Sequence, residues 1–402
     1  MKNFPENLRN KLQNREQNHA FRTLSAQSNK IDFASNDYLG FAKSQSIFEE
    51  VYQLLQERNI IINGATGSRL ISGNHNLYPE TEDFIANFHQ SESALIFNSG
   101  YDANVGFFSS VPQRNDIILY DELCHASIRD GIKLSNAKSY KFAHNDWEDL
   151  EKTIIRFQTN QNGGEHLPPT TDNRQPTTIY IITESVFSMD GDSPNLETIA
   201  AIAGQYQCLL VVDEAHALGV FGKQNTGGGE GLIQQLNLQD KVFARIVTFG
   251  KGLGCHGAAI LGSKLLSDYL VNFARSFIYT TGLPPHVLAT ILTAYKHLQT
   301  ESHEIEKLRD NILHFSQTKN QVGLKQIFVH GKSAIQSAIL PGNESVKQLA
   351  SQLQEKGFDV KAILSPTVPE GQERLRICLH SYNTTEEISN VLALLATFVF
   401  SK

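Results

Sequence analysis

An apolar run at Leu209 to Val212 leads directly into Asp213, Glu214 and His216 in the stretch CLLVVDEAHALG (208–219). A second stretch, RIVTFGKGLGCHGAAILGS (245–263), sets Lys251 between another apolar run and a cluster of glycines. Carboxylate, imidazole and amine can accept, donate and attack, so these two segments carry the groups best able to do chemistry. The letters VVDEAH suit the magnesium-binding acid of an ATPase, which also needs a glycine-rich loop ending in Gly-Lys-Ser/Thr. HGKSA (330–334) has Gly-Lys-Ser, but Gln326 stands where that loop's first glycine belongs, and the segment lies downstream of the acid. A metal site could use Asp213 and His216, yet no third ligand follows at a recognisable spacing. Gly252, Gly254 and Gly257 spell GxGxxG, but a dinucleotide loop opens a helix, whereas GAAILGS has the composition of a strand.

Taken singly, Asp213 is an ordinary acid capping a turn and Lys251 a solvated charge. Taken together, they suit pyridoxal phosphate, which needs an imine-forming amine, an acid beside its pyridine nitrogen and neutral donors for its phosphate. On this reading Lys251 supplies the amine, and the glycines leave its ammonium little steric cover. Asp213, kept ionised, holds the ring nitrogen protonated, and His216 reaches the ring's phenolic oxygen.

These residues need a frame to hold them. Short Ile- and Val-rich runs recur at ALIFNSG, DIILYDE, TIYIITES, CLLVVDEA, RIVTFGKG and GAAILGS, each bounded by Gly, Asp or Ser. Such runs predict strands buried on both faces, and their alternation with helical segments predicts an α/β fold with a mostly parallel sheet. Asp121, Glu184, Asp213 and Thr248 then fall at strand carboxyl ends, the edge at which open α/β sheets bind ligands. The expected division is a polar helical arm over 1–34 with Leu8, Leu12 and Phe21 as its apolar teeth, a large domain over 35–285, and a smaller α+β domain over 286–402. QTNQNGGEHLPPTTDNRQPTT (158–178) is a surface loop by composition.

The whole chain limits the function classes. A net charge of −7 and the lack of a Lys/Arg run argue against a nucleic-acid binder. The 4 cysteines (Cys124, Cys208, Cys255, Cys378) form no CxxC pair, which argues for a reducing cytosol and against a thiolate metal site. The polar amino terminus lacks a signal-peptide core, and no apolar run is long enough to span a membrane. A cytoplasmic protein with no metal is expected.

Seven further stretches extend the pattern: SNDYLGF (35–41), ATGSRLISGNHNLYPETE (65–82), NSGYDAN (98–104), HASIRDG (125–131), FAHND (142–146), TESVFSMDGD (183–192) and SPTVPEGQERLRI (365–377). In this order, with VVDEAHALGVFG and VTFGKGLG, they resemble the α-oxoamine synthases, pyridoxal-phosphate enzymes of fold type I. The resemblance implies Lys251, His125 and Asp213 as the catalytic set, with Lys251 the Schiff-base lysine and His125 stacked on the cofactor ring. It implies Gly100, Tyr101, Ser188, His216 and Thr248 as further cofactor contacts. Arg22, Asn36, Thr367 and Arg376 become substrate residues, Arg376 holding the amino-acid carboxylate through its bidentate fork. It also implies a homodimer with shared active sites, IYTTGLPP (278–285) reaching the neighbour's cofactor.

The implied reaction is a decarboxylative condensation of an amino acid with an acyl-CoA. Lys251, Asp213 and His216 are common to the family and cannot choose the substrates. GSRLISG and SPTVPEG resemble the branch that joins L-alanine to pimeloyl-CoA in biotin synthesis, giving 8-amino-7-oxononanoate. The other branches use glycine with acetyl- or succinyl-CoA, or serine with palmitoyl-CoA, and an inert pyridoxal-phosphate binder is the non-enzymatic alternative. Cys255-His256 and Ala217-Leu218 depart from the smaller or Gly-Thr residues frequent in the family.

Overall fold

Strand Leu209–Asp213 is buried at all but its first position. It lies at the centre of a seven-stranded sheet, ordered Ser93–Phe97, Ala258–Gly262, Ala244–Thr248, Leu209–Asp213, Ile179–Glu184, Ile117–Asp121, Lys138–Phe142. Pairing is parallel from Ala244–Thr248 outward to Lys138–Phe142, and Ala258–Gly262 runs antiparallel to both its neighbours. The computed structural model describes residues 4–24, 29–162, 177–223, 228–300 and 302–400.

The apolar runs are continuous because both faces of this sheet are covered. Ile118, Ile182, Val211 and Ile246 meet Ala103, Phe107, Phe108, Ile128 and Leu270 in one core cluster. Leu119, Ile181, Leu210 and Val212 meet Leu150, Ile154, Leu196 and Ile199 in the other. Alternate strand positions feed opposite cores, as the period of two requires. The strand Lys138–Phe142 was not among the expected ones. It is an edge strand whose side chains are exposed or half-buried until Phe142, so it carries no apolar run to announce it.

The chain divides into two compact units, residues 39–187 with 193–305, and residues 1–38 with 188–192 and 306–402. The first holds the large sheet. The second holds the antiparallel strands Lys361–Ile363, Arg374–Cys378 and Ile335–Ile339 and the parallel pair Ile31–Asp32 with Phe358–Asp359. This differs from the expected boundaries at 35 and 286. The helix Pro285–Thr300 buries Leu288, Ile291, Leu292 and Tyr295 and packs on the helices Gln45–Glu57 and Leu77–Phe88, which keeps it in the large unit. The first residues go with the small unit because Ile31 and Asp32 pair with strand residues more than 300 positions away. Among its described residues the expected arm is helical over Glu6–Gln17, and its teeth Leu8, Leu12 and Phe21 are each at least 40% exposed. The expected loop at 158–178 begins inside the helix Trp147–Asn162, and 163–176 lie outside the described residues.

Among the described residues no helix is long and apolar enough to cross a membrane. None of them forms a group of three or more His, Cys, Asp or Glu placed to hold a metal ion.

Candidate active site

Where the central strand ends, its acid is held from two sides. Asp213 Oδ1 accepts the Ala215 amide at 2.9 Å, and Oδ2 accepts Asn104 Nδ2 at 2.9 Å. The side chain is buried at 5% exposure, so these donors replace water for it. Glu214 does a different job. Its Oε2 takes Arg245 Nε at 2.7 Å and Nη2 at 2.6 Å, its Oε1 takes the Ile233 amide at 3.0 Å, and both charged partners are buried. Arg245 also donates to the carbonyls of His89 and Glu230, both at 3.1 Å. The second acid of the box therefore ties the strand exit to the protein interior.

The strand Ala244–Thr248 ends three residues before Lys251, whose Nζ lies 2.7 Å from His216 Nε2. The glycines around Lys251 also serve the backbone. A Cβ on Gly252 would lie 2.2 Å from the Leu218 carbonyl oxygen, and one on Gly254 would lie 2.2 Å from the Ala42 amide nitrogen. They let backbone segments approach closely, and Gly254 also adopts φ +60°. Lys251 itself is half-buried.

His125 caps the helix Ala126–Leu134: its Nδ1 accepts the Ser127 amide at 3.2 Å and lies 2.7 Å from Ser127 Oγ. Its amide donates to Glu184 Oε1 at 2.5 Å. The residue is exposed, and partial desolvation followed by the nearby Lys251 ammonium holds its pKa below the usual imidazole value. Glu184 is opposite Asp213 in the ladder, and burial followed by the Asp213 charge raises its pKa to about 8.

Ser99 caps the helix Gly100–Ser110 by accepting the Asp102 amide at 3.1 Å. Gly100 and Tyr101 open that helix, so their amides lack intrahelical partners and suit an anion. A Cβ on Gly100 would stand 2.5 Å from Thr248 Oγ1, so only glycine lets the Thr248 hydroxyl approach the helix start so closely. The Tyr101 side chain points elsewhere, its hydroxyl bonded to Asp130 at 3.1 Å. Amine, buried acid, imidazole, exposed ring and neutral phosphate donors thus occur together at the ends of neighbouring strands, and this donor set fits pyridoxal phosphate.

The small unit groups other expected residues. Arg376 donates through Nε to the Ser188 carbonyl at 2.8 Å and through Nη2 to Asn36 Oδ1 at 2.9 Å. The buried Tyr38 also donates to Asn36 Oδ1, at 3.2 Å. Ser188 is therefore placed by its carbonyl on Arg376. Arg22 Nη2 reaches Thr367 Oγ1 at 3.3 Å, both being exposed. Within the large unit, Thr280 and Thr281 of IYTTGLPP accept from Asn98 Nδ2 at 3.0 and 2.7 Å. Ser333 of HGKSA is buried, and its hydroxyl donates to the Gly191 carbonyl at 2.7 Å, so it is taken up by the fold.

Asn104, Ser127 and a role for Glu184 were not singled out from the sequence. Asn104 did leave a signal, being a polar residue on the buried side of the helix Gly100–Ser110, four positions after Gly100 and beside Ala103, Phe107 and Phe108.

A family model described as aminotransferase class I and II matches residues 28–395. An 8-amino-7-oxononanoate synthase from Emericella nidulans is 40% identical over 410 residues, covering 98% of this chain and 95% of that protein. A solved 8-amino-7-oxononanoate synthase from Francisella tularensis superposes with a TM-score of 0.74 at 28% identity, covering 93% of this chain and 98% of that one. A serine palmitoyltransferase from S. paucimobilis, with pyridoxal phosphate and myriocin bound, shares the fold at a TM-score of 0.84 and 24% identity, covering 98% and 97% of the two chains.

Proposed function

We propose, for a chain that belongs to the α-oxoamine synthases of the class I and II aminotransferase family, that it joins L-alanine to pimeloyl-CoA. The products are 8-amino-7-oxononanoate, CoA and CO2, a step of biotin biosynthesis. The family membership makes it a pyridoxal-phosphate-dependent acyltransferase. The observation that carries the choice of substrates is the 40% identity to the Emericella nidulans synthase over almost the full length of both chains.

Bound pyridoxal phosphate supplies an electron-withdrawing ring that stabilises negative charge at the amino-acid Cα. The chain's own residues do the rest. Lys251 would hold the cofactor through its amine and is the base placed to take the proton from the substrate Cα. Asp213 presents a carboxylate fixed by Asn104 and Ala215, and holds a proton at the pyridine nitrogen. His216, beside the Lys251 amine, serves the ring oxygen. The Gly100 and Tyr101 amides and the Thr248 hydroxyl hold the phosphate, with Ser188 as a further contact. His125 offers its exposed ring to the cofactor face. Arg376 takes the alanine carboxylate, with Asn36, Arg22 and Thr367 as further substrate residues. In the net reaction a bond forms between the alanine Cα and the acyl carbonyl carbon, the C–S bond breaks to release CoA, the alanine carboxylate leaves as CO2, and a proton takes its place on Cα. The enzyme works as a homodimer, a point that sedimentation or light scattering of the purified chain checks directly.

Two experiments test the reading. The purified protein should absorb visible light, and its spectrum should change on adding L-alanine; a colourless ATP hydrolase or a yellow protein inert to every amino acid refutes it. Thiol release should then be compared for pimeloyl-, acetyl-, succinyl- and palmitoyl-CoA with alanine, glycine and serine. Pimeloyl-CoA with alanine should be best, with some glycine activity, since one methyl in a pocket discriminates by only about 1–3 kcal/mol. The palmitoyl-CoA and serine arm matters because the serine palmitoyltransferase fold superposes so well. If that pair wins, the acyl assignment falls and the cofactor assignment stands.

A further inference from the structure

We propose that Asn104 and Ser127 are positioning residues, forming a hydrogen-bond relay that links His125 to the Asp213 carboxylate and keeps the His125 ring neutral with its proton on Nε2. Donor directions can be read along the whole relay. At one end the Asp213 carboxylate can only accept, so the group that Asn104 turns to it at 2.9 Å is its amide nitrogen. The same Nδ2 reaches Ser127 Oγ at 3.0 Å, spending its second hydrogen there. Ser127 Oγ thus receives a hydrogen from Asn104, and its own hydrogen is free to point at His125 Nδ1, 2.7 Å away. At the other end the Ser127 backbone amide, which can only donate, also points at Nδ1, at 3.2 Å. Two donors converge on one ring nitrogen. Nδ1 must present its lone pair, and the ring's single proton belongs on Nε2.

Burial makes the relay costly to break. Asn104 is 2% exposed, Ser127 is fully buried, and no water can replace a lost partner without a rearrangement. The Asn104 carbonyl oxygen is buried with no partner among the described residues. Paired oxygens would be the rule for a residue serving packing alone. Here the amide orientation is set by what its two N–H bonds must reach. Backbone contacts hold the same arrangement from outside: the His125 amide is fixed on Glu184, and the Ala215 amide on Asp213. The charged groups around the ring are Lys251 and Arg129, which oppose its protonation, and Asp213 and Asp130, which favour it. A proton arriving on Nδ1 would displace the helix cap and the Ser127 hydroxyl together.

The inference rests on the proposed cofactor site, and the experiment separates their failures. The full chain, labelled with 15N-histidine and loaded with pyridoxal phosphate, is followed by ring-nitrogen NMR, with His125 assigned by the signals lost in His125→Gln. His125 should be the neutral Nε2–H tautomer between about pH 6 and 8. Ser127→Ala, a small change that keeps the backbone donor, should raise the protonation midpoint of His125 by about half to one pH unit. It should also move the pH dependence of the visible cofactor band in the same direction. Asn104→Leu should produce the same shift, with altered band position from the Asp213 side. A wild-type ring that carries its proton on Nδ1, or is already imidazolium at pH 7, overturns the relay without any variant. So does Ser127→Ala with unchanged ring shifts and titration. If no visible band forms with pyridoxal phosphate, the cofactor reading falls, and the His125 signals in that same sample still decide the relay.

Discussion

In the large unit the chemically able side chains sit where parallel strands give out: Asp213 and Glu184 end their strands, and Lys251 follows shortly after Thr248 ends another. In the small unit Arg376 lies in the middle of an antiparallel strand, paired in register with Ser337, and its head is fixed by Asn36 and the Ser188 carbonyl. The first arrangement follows from topology, since every strand of a parallel set delivers its last residue to one edge. The second depends on one guanidinium reaching a side chain 340 positions away and a backbone carbonyl 188 positions away. Changes in the first region should strike the chemical step, and changes in the second should strike binding.

The most severe test is Lys251→Ala, for which turnover should fall by at least about a thousandfold while circular dichroism is unchanged. Normal product formation by that variant would place the amine elsewhere and remove the large unit's claim to the chemistry. Arg245→Leu comes next, because it strands the Glu214 carboxylate in the interior. Urea unfolding should show a loss of about 3–5 kcal/mol. Arg58→Ala, which breaks a pair whose side chains are each 40% exposed, should cost at most about 1 kcal/mol. Equal losses would mean that the buried network does not hold the strand exit.

Asp213→Ala should raise the activation barrier by about 2–4 kcal/mol with a smaller effect on cofactor affinity, because the proposed phosphate donors do not include its carboxylate. A variant with wild-type kcat would refute the acid's role. Arg376→Lys sharpens the contrast from the other side. Losing the planar fork should raise the KM for the amino acid about tenfold or more and leave kcat less affected. A fall confined to kcat would instead assign Arg376 to the chemical step.

The smallest effect concerns stability in acid. Burial pushes the Asp32 carboxyl up, but the amides of Ala34 and Ser35, both at 2.9 Å, outweigh it and bring its pKa down to about 2. A folded value below the unfolded one stabilises the protein above about pH 4, and the contribution is lost as pH falls toward 2. Asp32→Asn should therefore cost about 1 kcal/mol at neutral pH and nothing near pH 2. Glu184 has the opposite sign. With its folded pKa raised to about 8, it costs stability as pH rises from about 4 through 8, and Glu184→Gln should flatten that decline in a pH series of melts. A parallel decline in the variant would show that Glu184 is not the group responsible.

Local patterns carried much of this structure. Six of the seven large-sheet strands were visible as continuous apolar runs, because burial on both faces demands them, and the acids at their ends were visible for the same reason. Lys138–Phe142 was hidden, since an edge strand needs no such run. The sequence by itself also singled out Lys251, Asp213 and His216 by residue type and position. It could not decide that Glu214 turns inward to Arg245 while Asp213, one residue earlier, turns to Asn104. Nor could it decide that Ile31 pairs with Phe358, that Arg22 reaches Thr367, or that Gly252 and Gly254 serve backbone approach. The physical reason is common to all of these. A run of apolar residues states its own burial, but a hydrogen bond or a close backbone contact needs a partner, and packing brings that partner from a distant part of the chain.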